Sequence, residues 1–230
     1  MHDESSPRPS ELLRMPAPLV RHQETTLEIS HREKTLLIQL VAEDSFPRLT
    51  YSTLYKLKAQ LVALRDDANL SAAVITGSHI CFCAGAEIAE LGALRGEQAL
   101  RFAELGQSVT SAIERSEKPV IAAIRGYCMG GGFDLALACQ MRIAAPDSVF
   151  AHRGAALGIM TGWGATQRMM RVGGPGGRRV VTELMTTGRS ITAQEAHSLR
   201  LINHIAPKDS VVDAAVSLAS RAKSSTDLPL

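Results

Sequence analysis

The chain has 230 residues, 45% hydrophobic and 21% charged, the make-up of an ordinary globular protein with room for one large domain. Its formal net charge of +2 gives no electrostatic case for nucleic acid or an acidic membrane surface as partner. No apolar run approaches the length of a membrane span, and the polar, proline-containing start lacks the core of a signal peptide and the arginine-rich character of a transit peptide.

Residues 1–22 carry Pro7, Pro9, Pro16 and Pro18 with few large apolar groups, and read as a flexible arm. Segments 26–29 and 35–41 read as paired strands around a polar turn. Over 51–65, Leu54, Leu57, Leu61 and Leu64 recur every three or four positions, which predicts an amphipathic helix. A buried strand is expected over 72–76. A second long helix is expected over 97–115, with Leu105, Val109, Ala112 and Ile113 on one face. A strand over 119–124, a short helix over 133–139 and a strand over 141–145 follow. A glycine-rich loop fills 154–164, and a helix is expected near 176–186. Thr192 with Glu195 fits a capping box, and a closing helix lies near 210–223. The recurring unit is strand, strand or turn, then helix, which argues for an α/β fold with mostly parallel, well-buried sheets. The expected divisions are the arm over 1–22, a core domain over 23–207 and a C-terminal helix and tail over 208–230.

Arg168, Arg171, Arg178 and Arg179 form the densest basic stretch and read as a solvated helix face. Of the four cysteines, Cys81 and Cys83 are too close for an ordinary bridge, and no CxxC pair or histidine ladder suggests zinc. Reduced thiols packed as small apolar groups fit a reducing, cytoplasmic compartment. Cys83 and Cys128 are expected in the wall of a site, without a nucleophilic role.

Two small-residue turns carry the chemistry. Phe82-Cys83-Ala84-Gly85-Ala86-Glu87-Ile88 follows the strand over 72–76. Gly126-Tyr127-Cys128-Met129-Gly130-Gly131-Gly132-Phe133-Asp134 follows the strand over 119–124. Each leads into helical spacing. Gly and Ala leave the backbone amide uncovered, and a helix N-terminus adds positive potential, so the two turns can aim N–H groups at one oxygen. An oxygen held this way can carry the charge of an enolate or a tetrahedral intermediate.

These residues resemble the crotonase family, also called the enoyl-CoA hydratase/isomerase family, from about Leu27 to Pro207. The blocks that carry the likeness are 82–88, 118–138 and 162–168, then Thr187-Gly188-Arg189 and Ala193-Gln194-Glu195-Ala196. The resemblance implies a crotonase-like spiral of strand-strand-helix repeats, assembly as a homotrimer or hexamer, and an acyl-CoA thioester as partner. Coenzyme A would be part of the substrate, with no further cofactor. The family's two oxyanion donors map onto the amides of Ala86 and Gly131, flanked by Ala84, Gly85, Ile88 and Gly130.

The side chains depart from the family pattern. Of the two glutamates that family hydratases use, the first maps onto Asp134, one methylene shorter. The second falls at Gly154, which can neither accept nor donate a proton. Some members with glycine there, the 1,4-dihydroxy-2-naphthoyl-CoA synthases, use a bound bicarbonate instead. Here His152 and Arg153 could hold such an anion, and Gly162-Trp163-Gly164 resembles the turn in those synthases. The synthase aspartate is not evident in Ile159-Met160-Thr161, so synthase activity is not assigned. The basic residue that often follows the first turn is also missing, where Ile88-Ala89-Glu90 stands. The chain ends soon after one helix, so the site is expected to be more open or completed by another chain.

Asp134 is expected either to catalyse or only to complement the helix dipole. His152 is a structural imidazole or an acid/base group. Arg153 is an ion-pair partner or a carboxylate binder, and Trp163 packs or stacks on substrate. The leading expectation is an acyl-CoA enzyme that works through an oxyanion-stabilised thioester enolate, nominally an enoyl-CoA hydratase/isomerase reaction. The rivals are a non-catalytic acyl-CoA-binding member, an enolate-forming decarboxylase or carbon–carbon lyase, and a thioester hydrolase that uses His152.

Overall fold

The computed structural model describes residues 24–221. The arm expected over 1–22 and the last residues of the closing helix lie outside this range. The chain opens with β1 (Thr26–Arg32) and β2 (Thr35–Val41), an antiparallel pair. The two-residue strand β3 (Arg48–Leu49) leads into α1 (Tyr51–Asp66). Thr50 caps α1, its hydroxyl oxygen accepting the Thr53 N–H at 3.1 Å, a contact that contributes about 1 kcal/mol. Leu54, Leu57, Leu61 and Leu64 are all buried, as their spacing predicts.

Three strand-strand-helix turns follow. The first is β4 (Ala72–Thr76), β5 (Cys81–Cys83) with the short β6 (Gly85–Ala86), then α2 (Ile88–Ala93) and α3 (Glu97–Glu114). The second is β7 (Val120–Ile124), β8 (Tyr127–Met129) and α4 (Gly131–Ala138). The third is β9 (Met141–Ala144), β10 (Val149–Ala151), a 3-10 segment (Arg153–Leu157), α5 (Ala165–Val172) and α6 (Gly177–Thr187). The chain then forms β11 (Ile191–Thr192), α7 (Ala193–Ser198), β12 (His204–Ile205) and α8 (Val211–Arg221).

The first strands of the turns, β4, β7 and β9, are neighbours in a sheet of order β1-β2-β4-β7-β9-β12. The second strands, β5, β8 and β10, are neighbours in a sheet of order β11-β10-β8-β5. Apart from β1–β2 and β10–β11, the pairings are parallel. The fold is therefore the expected α/β spiral with mostly parallel sheets.

Period-two alternation explains why the central strands are mostly apolar on both faces. Leu36, Ile38 and Leu40 of β2, Ala73 and Ile75 of β4, and Val120, Ala122 and Ile124 of β7 face the main core. The intervening Leu37, Ala72, Val74, Ile121 and Ala123 face a second core, which Val211, Ala215 and Ala219 of α8 close. Both faces of the sheet are covered, so few polar positions survive, and buried Thr76 of β4 donates its hydroxyl to the Ala123 carbonyl at 2.9 Å. Each large aliphatic side chain so buried contributes about 1.5–3 kcal/mol.

Three local expectations change. The helix after the glycine triplet begins at Gly131, two residues earlier than expected. Thr192 caps α7 by accepting the Glu195 N–H at 3.2 Å, but the Glu195 carboxylate accepts from Arg189 instead of closing a full capping box. Arg168 is not a solvated helix residue. It is buried, donates to the Trp163 carbonyl at 2.6 Å and pairs with Glu114 at 2.8 Å. Arg171, Arg178 and Arg179 are exposed. Among the described residues, no helix is long and apolar enough to cross a membrane.

Candidate active site

The spiral brings the C-terminal ends of β5, β8 and β10 side by side, the edge at which open parallel sheets bind ligands. Ala84–Ala86 follow β5, Gly130 and Gly131 follow β8, and His152 follows β10. The Gly130 N–H donates to the Ala151 carbonyl at 2.9 Å and ties the second turn to the third. A cavity of about 600 Å³ opens at this edge.

The two small-residue turns meet there. Gly85 has φ +102°, and a Cβ on it would sit 2.9 Å from the Met129 carbonyl oxygen and 3.0 Å from the Gly131 nitrogen. A Cβ on Gly131 would lie 3.4 Å from the Ala86 nitrogen, so the two peptide groups are neighbours. Gly131 is the first residue of α4, and its N–H has no carbonyl to bond within the helix. The positive end of α4 therefore faces the cavity.

Trp163 holds this wall from behind. Its ring fills the space that a Cβ on Gly106 of α3 or on Gly131 would occupy, with nearest approaches of 2.1 and 2.4 Å. It also makes an edge contact with Phe102, ring centres 5.4 Å apart. Thr110 donates its hydroxyl to the Trp163 carbonyl at 3.0 Å. Trp163 is only 6% exposed, so it packs far more than it presents a face, although it does line the cavity.

The other wall is a network of side chains around Asp134. This carboxylate is 1% exposed and accepts from three groups. The Ala165 N–H donates to Oδ1 at 2.7 Å, the Thr161 hydroxyl lies 2.7 Å from both oxygens, and His152 Nε2 lies 3.0 Å from Oδ2. Ala165 opens α5, so its N–H is also one that the helix leaves unbonded. A buried carboxylate must be satisfied in this way to persist. A carboxylate only accepts, so the imidazole tautomer that fits this contact carries its hydrogen on Nε2, facing Asp134, and has its lone pair on Nδ1. Nδ1 has no hydrogen-bond partner among the described residues, and a Cβ on Gly154 would lie 3.6 Å from it.

Gly154 has a steric reason. The Ile159 N–H donates to the Gly154 carbonyl at 2.9 Å, closing a tight turn, and a Cβ on Gly154 would sit 2.5 Å from the Ile159 carbonyl oxygen. A glutamate there cannot coexist with this turn. Leu157, Ile159 and Met160, carried by the same segment, are exposed at the cavity rim.

The chain matches the family model described as enoyl-CoA hydratase/isomerase over residues 33–228. A crotonyl-CoA hydratase from Syntrophomonas wolfei is 36% identical over 194 residues, covering 84% of this chain and 74% of the relative. A 2,3-dehydroadipyl-CoA hydratase from Escherichia coli is 32% identical, covering 85% and 74%. The crystal structure of an enoyl-CoA hydratase from Bacillus anthracis superposes with a TM-score of 0.79 at 32% identity, covering 86% of this chain and 76% of that one. The chain belongs to the enoyl-CoA hydratase/isomerase family.

The candidate catalytic and substrate-binding residues named from the sequence all line this cavity: Ala84, Gly85, Ala86, Ile88, Gly130, Gly131, Asp134, His152, Arg153, Gly154 and Trp163. Arg153 is half-buried and makes no ion pair among the described residues of this chain, which leaves the expected surface or interface ion pair without a partner within the chain. Cys83 and Cys128 do not line the cavity. They are fully buried behind the turns, where the Cys83 carbonyl leaves Gly132 no room for a Cβ. Burial pushes the Cys83 and Cys139 thiols up to about 12, which suits packing and not attack. Sequence reasoning missed Thr161, noted only as part of a segment lacking an aspartate, and the Ala165 amide. The signal for both was the helix start after Gly164, whose φ of +102° only glycine adopts readily. Among the described residues no group of three His, Cys, Asp or Glu is placed to hold a metal ion.

Proposed function

We propose that this chain hydrates or dehydrates an enoyl-CoA thioester, with His152 as the acid/base group and Asp134 as the residue that orients it. The thioester carbonyl oxygen would lie against the amides of Ala86 and Gly131. These donors gain most when charge builds on that oxygen as the enolate forms. His152 Nδ1 would take a proton from water while the water oxygen bonds to the β-carbon and the double-bond electrons move toward the carbonyl. The imidazolium so formed is held by Asp134, and returns the proton to the α-carbon as the enolate collapses. One nitrogen then does the work divided between two glutamates in family hydratases, which accounts for a glycine at position 154.

The observation that supports this most is the 3.0 Å contact between His152 Nε2 and Asp134 in the wall of the cavity that Ala86 and Gly131 also line. The hydratases named among the relatives make enoyl-CoA the first substrate to try. The test is to mix the purified protein with crotonyl-CoA and follow the loss of conjugated enoyl-thioester absorbance. Turnover that falls in Asp134→Ala supports the reading. No turnover of crotonyl-CoA or of a panel of other thioesters, by wild type and variant alike, sinks it.

A second reading draws on the same unpartnered Nδ1. His152 could activate water to attack the thioester carbonyl, with the coenzyme A thiolate leaving and taking the proton. It predicts release of free thiol from saturated acyl-CoA, lost in His152→Gln. Hydration releases none.

A further inference from the structure

The cavity holds one charge that its own surroundings leave uncompensated. Among the lining residues the charged side chains are Asp134 and Arg153, with His152 as a third titratable group. Asp134 is fully engaged by Thr161, Ala165 and His152. Arg153 makes no hydrogen bond or ion pair through its guanidinium among the described residues, and it is half-buried. It opens the 3-10 segment between His152 and Gly154, so it sits on the same stretch of chain as the proposed acid/base group. Much of the remaining lining is apolar, with Leu91, Phe102, Leu157, Ile159 and Met160 prominent.

An alkyl chain laid over a guanidinium removes water from a cation and returns nothing. A carboxylate returns two charge-assisted hydrogen bonds in the fork geometry that Arg presents. We propose that Arg153 is a binding residue for an anionic group on the acyl chain, and that the favoured substrates are enoyl-CoA thioesters ending in a carboxylate. This rests on the thioester reading above. The same guanidinium chemistry would also suit a phosphate of coenzyme A, and the experiment separates the two sources.

The probes are a matched pair of six-carbon enoyl thioesters, 2-hexenoyl-CoA ending in a methyl group and 2,3-dehydroadipyl-CoA ending in a carboxylate. The ratio of their kcat/KM values is independent of how much of a preparation is folded. Wild type is expected to prefer the carboxylate-ended substrate by about ten- to a hundred-fold, the range of a charge-assisted pair. In Arg153→Met that preference should fall at least about ten-fold, with Arg153→Lys restoring part of it. Equal rates for the two substrates in wild type, or a preference that survives Arg153→Met, overturns the proposal. It is equally overturned if the variant weakens both thioesters and free coenzyme A alike while sparing the matching pantetheine thioesters, because the guanidinium then serves the phosphates. Calorimetry with the saturated pair, hexanoyl-CoA and adipyl-CoA, reads the same preference without turnover. If neither enoyl thioester reacts yet adipyl-CoA binds more tightly and loses that advantage in Arg153→Met, the subsite stands and the proposed hydration fails. If no such advantage is found, the subsite fails too.

Discussion

On one wall of the cavity the groups proposed to act are main-chain amides, at Ala86 and Gly131; on the other they are side chains, Asp134, His152 and Thr161. The amide wall draws on two turns that follow consecutive second strands of the spiral, backed by the Trp163 ring and by close contact at Gly85. Its geometry is held by hard packing, with no room for even one added carbon at Gly131. The side-chain wall is gathered from three places, α4, the end of β10 and the loop before α5, and hydrogen bonds tie it together. A fixed backbone suits a role that every thioester shares. An exchangeable side-chain set suits the part that distinguishes one reaction from another.

The largest effect should come from removing the group proposed to move protons. His152→Gln keeps an N–H for Asp134 but has no titratable nitrogen, and kcat on crotonyl-CoA should fall by about 10²–10⁴. If kcat is unchanged, the side-chain wall has been given the wrong leader. Next comes the amide wall. Gly131→Ala would force Trp163 away and move the donor, and should cost about 10²–10³ in kcat. A loss seen only in KM would mean that these amides hold ground state and transition state equally. Smallest is Thr161→Val, which removes one hydroxyl donor from Asp134. Stability in urea should drop by about 1–2 kcal/mol, and kcat should fall about ten-fold as the His152 ring loses its fixed orientation. A stability loss with kcat intact would make the contact purely structural.

The two walls also differ in how readable they are in the sequence. The amide wall is local: each turn is a run of small residues between an apolar strand and a helix, and the glycines mark where the backbone comes close. The leucines of α1 and the apolar runs of β4 and β7 are readable for the same reason, since their periods lie within one element. The side-chain wall is not local. Nothing within the chain from Asp134 to Thr161 says that their oxygens meet, because that contact depends on how α5 is placed against α4. His152 was a candidate by its type, and only the fold pairs it with Asp134. Arg168 misled for the opposite reason: a basic helix residue usually points to water, and here Glu114 and the Trp163 carbonyl draw it inward. Strands of two residues, such as β3, β6 and β11, are too short for any period to register.

Trp163 is the only tryptophan in the chain, and its ring lies directly behind Gly131. Intrinsic emission from this protein is therefore dominated by a single indole placed against the candidate donor. A thioester settling on that amide alters the local field around the ring, so the molecule carries its own optical gauge of occupancy. Titrations can be followed with no dye attached and no tag near the site.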